Sequence, residues 1–141
     1  MRLVGNELTF KKYITWYKPN DCSFPIGTVL RKSEALLLCT SGKTLRYDSD
    51  KNIHDCLIFN KIIKDRTFWH PTVKELPLMN ELVLAFTKKD ELILDCFMGS
   101  GTTGVASLKL GRRFVGVELD PTYFGIAEKR IKEWENQQRL V

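Results

Sequence analysis

Asp95-Cys96-Phe97-Met98-Gly99-Ser100-Gly101-Thr102-Thr103-Gly104 is the stretch on which the reading of this 141-residue chain turns. Just before it, the apolar run Leu92-Ile93-Leu94 predicts a short strand ending at Asp95. Just after it, Thr102 and Thr103 open a helix over about 102–110, and Gly111 stops that helix at its C-terminus. Phe114-Val115-Gly116-Val117 is the next predicted strand, ending at Glu118. Asp120-Pro121 then supplies an N-cap and a first-position proline for a last helix running to about Asn136. That helix places Tyr123, Ile126, Ala127, the Arg130 stem, Ile131 and Trp134 on one side. Upstream, Met79, Leu82, Val83 and Phe86 recur at helical spacing within residues 78–87. Residues 72–136 therefore read helix, strand, helix, strand, helix, the pattern of parallel strands joined by right-handed crossovers.

The loop contains a literal G-x-G-x-x-G from Gly99 to Gly104, which taken alone suggests a dinucleotide site. In a dinucleotide fold the glycines follow directly on the strand, so that the pyrophosphate meets the helix N-terminus. Here Asp95 closes the strand and three residues intervene before Gly99. A carboxylate at that point disfavours phosphate and favours a cation such as an amino acid's ammonium group. The glycines let the backbone approach a ligand, and Glu118, at the tip of the neighbouring strand, can accept hydrogen bonds from both hydroxyls of a ribose. These groups ask for a ligand with a ribose, an ammonium group and no phosphate. S-adenosylmethionine is that molecule. The bland alternative is a strand-to-helix turn without a ligand, in which Asp95 caps a helix.

Farther out, Lys12-Tyr13-Ile14-Thr15-Trp16-Tyr17 is rich in aromatic and β-branched residues and predicts a strand, broken by Pro19-Asn20-Asp21. Ala35 to Thr40 predicts a short buried strand, and residues 43–69 read as irregular. The longest apolar runs have five residues, which excludes a membrane-spanning helix, and residues 1–7 lack the apolar core of a signal peptide. A cytoplasmic protein with reduced cysteines is the expectation. Cys22, Cys39 and Cys56 read as small buried residues; with no Cys-x-x-Cys pair, neither they nor His54 and His70 suggest a metal site. The charge is uneven. Residues 1–70 hold 12 Lys and Arg against 7 Asp and Glu, whereas residues 71–141 hold 10 of each. The whole excess of +5 thus lies in the first half, as suits a face toward a polyanion such as DNA, or simply a surplus of solvated lysines. Trp16, Tyr17 and Lys18 are equally open between stacking on a nucleic acid and a core tryptophan with two surface neighbours.

Three segments together resemble the amino-methyltransferases that act on DNA at adenine N6 or cytosine N4, in the order of the permuted beta class. They are His70-Pro71-Thr72-Val73-Lys74, Leu94 through Thr103, and Gly116-Val117-Glu118-Leu119-Asp120-Pro121. Ile14-Thr15-Trp16-Tyr17-Lys18-Pro19-Asn20 and Arg31 through Leu38 extend the likeness upstream over nearly the whole chain. The resemblance implies a Rossmann-like α/β fold dependent on S-adenosylmethionine, here incomplete. Residues 1–69 would be a strand and hairpin region with a short linker, and residues 70–141 the cofactor-binding region, within one structural domain. It further implies Thr72 and Lys74 near the methionine carboxylate, Asp95, Phe97, Gly99, Ser100, Gly101, Thr102 and Thr103 around the methionine and sugar, and Glu118 on the ribose. Three positions depart from the family pattern: Glu75 in place of proline, with the proline displaced to Pro77, Cys96 where proline is common, and Asp90 where glycine is common.

One absence is larger. The family's catalytic motif is Asp-, Asn- or Ser-Pro-Pro followed by an aromatic residue, and no Pro-Pro dipeptide occurs in this sequence. In the permuted order that motif precedes the region of Trp16, so the chain resembles the second half of such an enzyme and carries no catalytic residue of its own. The resemblance then implies two sheet pieces with a gap, closed by a partner chain, by a second copy, or by repacking. Three functions fit these residues: a donor-binding half of a DNA methyltransferase, a non-catalytic remnant or binding module that keeps the pocket, and, least favoured, a dinucleotide-binding domain.

Overall fold

The computed structural model describes residues 2–3, 8–21, 32–41, 53–61 and 73–138. The chain divides into two compact units, one of residues 1–47 and 52–63, the other of residues 48–51 and 64–141.

In the first unit, β1 (Arg2–Leu3), β2 (Leu8–Tyr17), β3 (Ser33–Thr40) and β4 (Cys56–Ile58) share one sheet. β2 is its spine, pairing antiparallel with β1 and β3 and parallel with β4. One face buries Ile14, Trp16 and Leu57, and the Trp16 indole N–H donates to the Phe59 carbonyl at 3.0 Å. The opposite face carries Tyr13, Tyr17, Leu37 and Ile58, all exposed. This corrects the expectation of a buried strand at 35–40. The strand forms, but its side chains alternate and one side has no cover among the described residues.

Lys18 also departs from its expected surface role. It is buried, with Nζ 2.6 Å from Asp21 and 3.1 Å from Glu34, over the Trp16 ring. Burial opposes the ammonium, but hydrogen bonds and charge from Asp21 and Glu34 outweigh it and raise the Lys18 pKa above the ordinary lysine value. With Trp16 and Lys18 inside, only Tyr17 of the three remains open to a nucleic acid.

Residues 56–58, expected to be irregular, form β4 instead. Three residues are too few to show a period, and pairing with β2 decides their conformation. Cys56 is exposed and Cys39 half-buried, contrary to the expectation of burial, while Cys22 lies outside the described residues.

The second unit contains α1 (Leu76–Phe86), β5 (Leu92–Asp95), α2 (Thr102–Lys109), β6 (Arg113–Gly116) and α3 (Pro121–Gln138). β5 and β6 pair in parallel, with Asp95 opposite Gly116. α2 packs on both strands and on α1 and α3. Gly104 permits this, because a Cβ there would lie 2.7 Å from Ile131 and from the Phe114 ring. α1 starts two residues earlier than predicted, since Pro77 fits a helix's first turn, where no intrahelical N–H is required. The α2 helix ends at Lys109, capped by Leu110 and followed by Gly111 at φ +74°, the left-handed stop the sequence indicates. At the start of α3 the Asp120 carboxylate accepts the N–H groups of Thr122 and Tyr123 at 2.8 and 3.1 Å, and Ala127 is fully buried. Among the described residues no helix is long and apolar enough to cross a membrane.

Candidate functional site

The loop from Cys96 to Gly101 joins the carboxyl end of β5 to α2, and its conformation is fixed by the two strand ends. Asp95 accepts the Phe97 N–H through Oδ1 at 3.0 Å, and Met98 donates its N–H to the Val117 carbonyl at 3.0 Å. Glu118 then takes two backbone donors, Gly99 at 2.8 Å on Oε2 and Asp120 at 3.0 Å on Oε1. Gly99 and Gly101 have φ of +52° and +77°, values an L side chain adopts at a cost. Gly101 also meets α3 closely, since a Cβ there would stand 2.9 Å from that of Ala127.

These bonds set the electrostatics. The N–H donations from Asp120 first, and Gly99 second, hold the Glu118 carboxyl below its ordinary value, so it is an anion at neutral pH. A carboxylate has about four lone-pair positions, and backbone N–H groups use only part of them. The rest is open to hydroxyl donors.

On the α2 side of the loop lies a shallow cleft of about 130 Å³, open to solvent. Its walls are Lys74, Asp95, Phe97, Met98, Gly99, Ser100, Thr102 and Thr103. Of the sequence-designated residues, Lys74, Asp95, Phe97, Gly99, Ser100, Thr102 and Thr103 thus share one cleft. Glu118 stands behind it through Gly99, Gly101 is buried against Ala127, and Thr72 lies outside the described residues.

Three residues in or beside the loop are not among those the sequence designates. Met98 lines the cleft as a buried side chain. Arg130 reaches from α3 to donate to the Ser100 carbonyl and hydroxyl and toward the Thr102 hydroxyl. Leu119 follows Glu118 and is 97% exposed, as Phe97 is 90% exposed. An apolar residue directly after an acidic strand end is the signal that points to Leu119. For Arg130, which helical spacing assigns to packing, there is none.

A family profile described as DNA methylase, of the N6 and N4 type, matches residues 2–129. The chain belongs to this DNA methylase family. M2.MboI of Moraxella bovis, a Type II methyltransferase, is 44% identical over 146 residues, taking in 93% of this chain and 53% of the relative. M.HinfI of Haemophilus influenzae, also a Type II methyltransferase, is 39% identical over 144 residues, taking in 85% of this chain and 38% of the relative. The crystal structure of an M1.HpyAVI–SAM complex is similar with a TM-score of 0.73 at 30% identity, over 89% of this chain and 64% of that one. The α/β arrangement is therefore part of the Rossmann-like fold of the methyltransferases. This DNA methylase chain spans about half the length, or less, of the curated relatives it matches.

Proposed function

We propose that this chain is the S-adenosylmethionine-binding portion of a DNA methylase that methylates the exocyclic amine of adenine (N6) or cytosine (N4), acts in the cytoplasm, and transfers nothing by itself. One observation carries the reading: Asp95, the glycine loop and Glu118 converge at the carboxyl ends of two adjacent parallel strands. The groups present fit the donor. Glu118 is anionic, with lone pairs open to a ribose diol, and Leu119 beside it offers an apolar plate to a base. Asp95 lines the cleft as a half-buried carboxylate suited to an ammonium group, while Lys74 on the rim suits a carboxylate, the role the family resemblance also gives Thr72. When bound, S-adenosylmethionine supplies a methyl group on a cationic sulfur. This chain's residues hold and orient it, and the loop's pinned backbone keeps that geometry in place beforehand.

Nothing in the sequence matches the motif that would orient a target amine, since no Pro-Pro dipeptide occurs. That is why we assign binding here and place catalysis on a further polypeptide region. The basic residues of 1–70 suit contact with DNA. Incubation of the purified chain with tritiated S-adenosylmethionine and unmethylated DNA tests the division of labour. Donor retained by the protein, with no tritium entering DNA, is the expected result. Transfer by the chain alone contradicts it.

A further inference from the structure

The glycine loop is held from α3 as well as from the two strand ends. Ala127 and Arg130 stand one helical turn apart on α3 and so share a face. Ala127 is fully buried against Gly101, where a Cβ would lie 2.9 Å from that of Ala127. The bare glycine thus lets α3 come close enough for Arg130 to reach the loop. Arg130 Nη1 donates to the Ser100 carbonyl at 2.5 Å and the Ser100 hydroxyl at 3.0 Å, and leans toward the Thr102 hydroxyl at 3.4 Å. Ser100 and Thr102 are only 4% and 5% exposed and both line the cleft, whereas Arg130 does not. A guanidinium has donors only and keeps its charge. Each hydroxyl therefore meets Arg130 with an oxygen lone pair, and its own proton must point elsewhere. Among the described residues neither proton finds an acceptor. A buried donor without a partner costs free energy, and these two stand in the same cleft wall as the Lys74 side chain.

We infer that Arg130 is a positioning residue for the methyl donor: from behind the cleft it commits the Ser100 and Thr102 hydroxyls to donate into the cleft, toward the carboxylate of the donor's amino-acid end. The inference rests on the reading of the chain as a donor-binding portion and says which group of the donor this wall recognises. Charge selects that group. Hydroxyl donors beside a lysine call for an anion, and the carboxylate is the one anionic group S-adenosylmethionine carries. Its ammonium group is drawn instead to Asp95, which lines the same cleft. Without the guanidinium each hydroxyl is free to rotate and to turn its proton onto nearby backbone carbonyls, and the wall no longer presents a fixed donor. Arg130 touches no ligand in this scheme; it acts through Ser100 and Thr102.

The test titrates the full chain with S-adenosylmethionine and, separately, with its decarboxylated form, which differs only in lacking the carboxylate. The wild-type chain should prefer S-adenosylmethionine by about tenfold or more, as hydrogen bonds to a charged group predict. Arg130→Met should remove that preference, weakening S-adenosylmethionine by about tenfold while the decarboxylated form stays within about twofold. Ser100→Ala keeps the arginine's charge and should weaken S-adenosylmethionine by about fivefold, again sparing the decarboxylated form. That second variant carries the test should Arg130→Met fail to fold. Equal losses for both ligands in Arg130→Met overturn the inference, since the arginine then merely holds the loop in shape. A Ser100→Ala chain that keeps the full preference overturns it too, since the charge then acts without the hydroxyl. A wild-type chain that binds both ligands alike removes this inference and leaves donor binding standing. One that binds neither removes the functional reading, and the inference with it.

Discussion

Glu118 accepts two backbone N–H groups while facing outward at a strand tip, so one carboxylate both shapes the glycine loop and remains available to a ligand. Its pKa is lowered from 4.5, so its contribution is fully present above that value and is lost as pH falls through the lower, folded-state value. The Gly99 amide resonance should therefore move as the pH drops below about 4.5, and Glu118→Gln should abolish that titration. A Gly99 amide that shifts at or above the ordinary glutamate value instead of below it would show that the bond is not made. Gly101 makes the contrasting case, where the side chain must be absent. Its positive φ and the 2.9 Å approach of Ala127 act together, and Gly101→Ala should lower stability by about 3 kcal/mol in urea melts. Gly111→Ala, also at positive φ but facing only the flexible Lys89 side chain, should cost about 1 kcal/mol.

Elements whose ends are marked by specific chemistry are legible in the sequence. Asp95, Gly111, Glu118 and Asp120-Pro121 each close or open an element within a residue or two of where the sequence puts the boundary. Burial is legible only where something covers the strand. Leu37 lies in a strand as expected yet faces out, and Lys18 lies past a strand end yet is buried, because Asp21 and Glu34 converge on it from sites that no local pattern links. β4 is hidden because its pairing with β2 spans about forty residues of chain. The same non-local logic hides Arg112, which joins two helix ends. Its guanidinium donates to the Thr87 hydroxyl at 3.1 Å, the Thr87 carbonyl at 2.7 Å and the Leu110 carbonyl at 2.5 Å, meeting the open C-termini of α1 and α2. Arg112→Met should lower the stability of this unit by about 2 kcal/mol, with Arg112→Lys recovering only part because an ammonium lacks the planar fork. Equal melting temperatures for the three proteins would remove the staple from the account.

At the scale of the whole chain, the uneven charge and the family likeness divide in the same place. The neutral stretch from 71 onward holds the loop and the acidic strand ends, and the basic stretch before it holds the β2–β4 sheet. Lys18 is one positive charge of that stretch that never reaches solvent, so the surface field of residues 1–70 comes from the remaining lysines and arginines. Each unit also leaves one apolar sheet face open, Tyr13, Tyr17, Leu37 and Ile58 in the first and Leu92, Leu94, Val115 and Val117 in the second. That is the state of a sheet drawn from part of a larger one, in keeping with relatives about twice as long. What the chain should do unaided is bind the methyl donor. Calorimetric titration of the purified chain with S-adenosylmethionine, and separately with NAD, tests this most directly. One-site binding of S-adenosylmethionine that Glu118→Ala weakens at least tenfold, with no heat from NAD, is the predicted result; binding of NAD without binding of S-adenosylmethionine would contradict it.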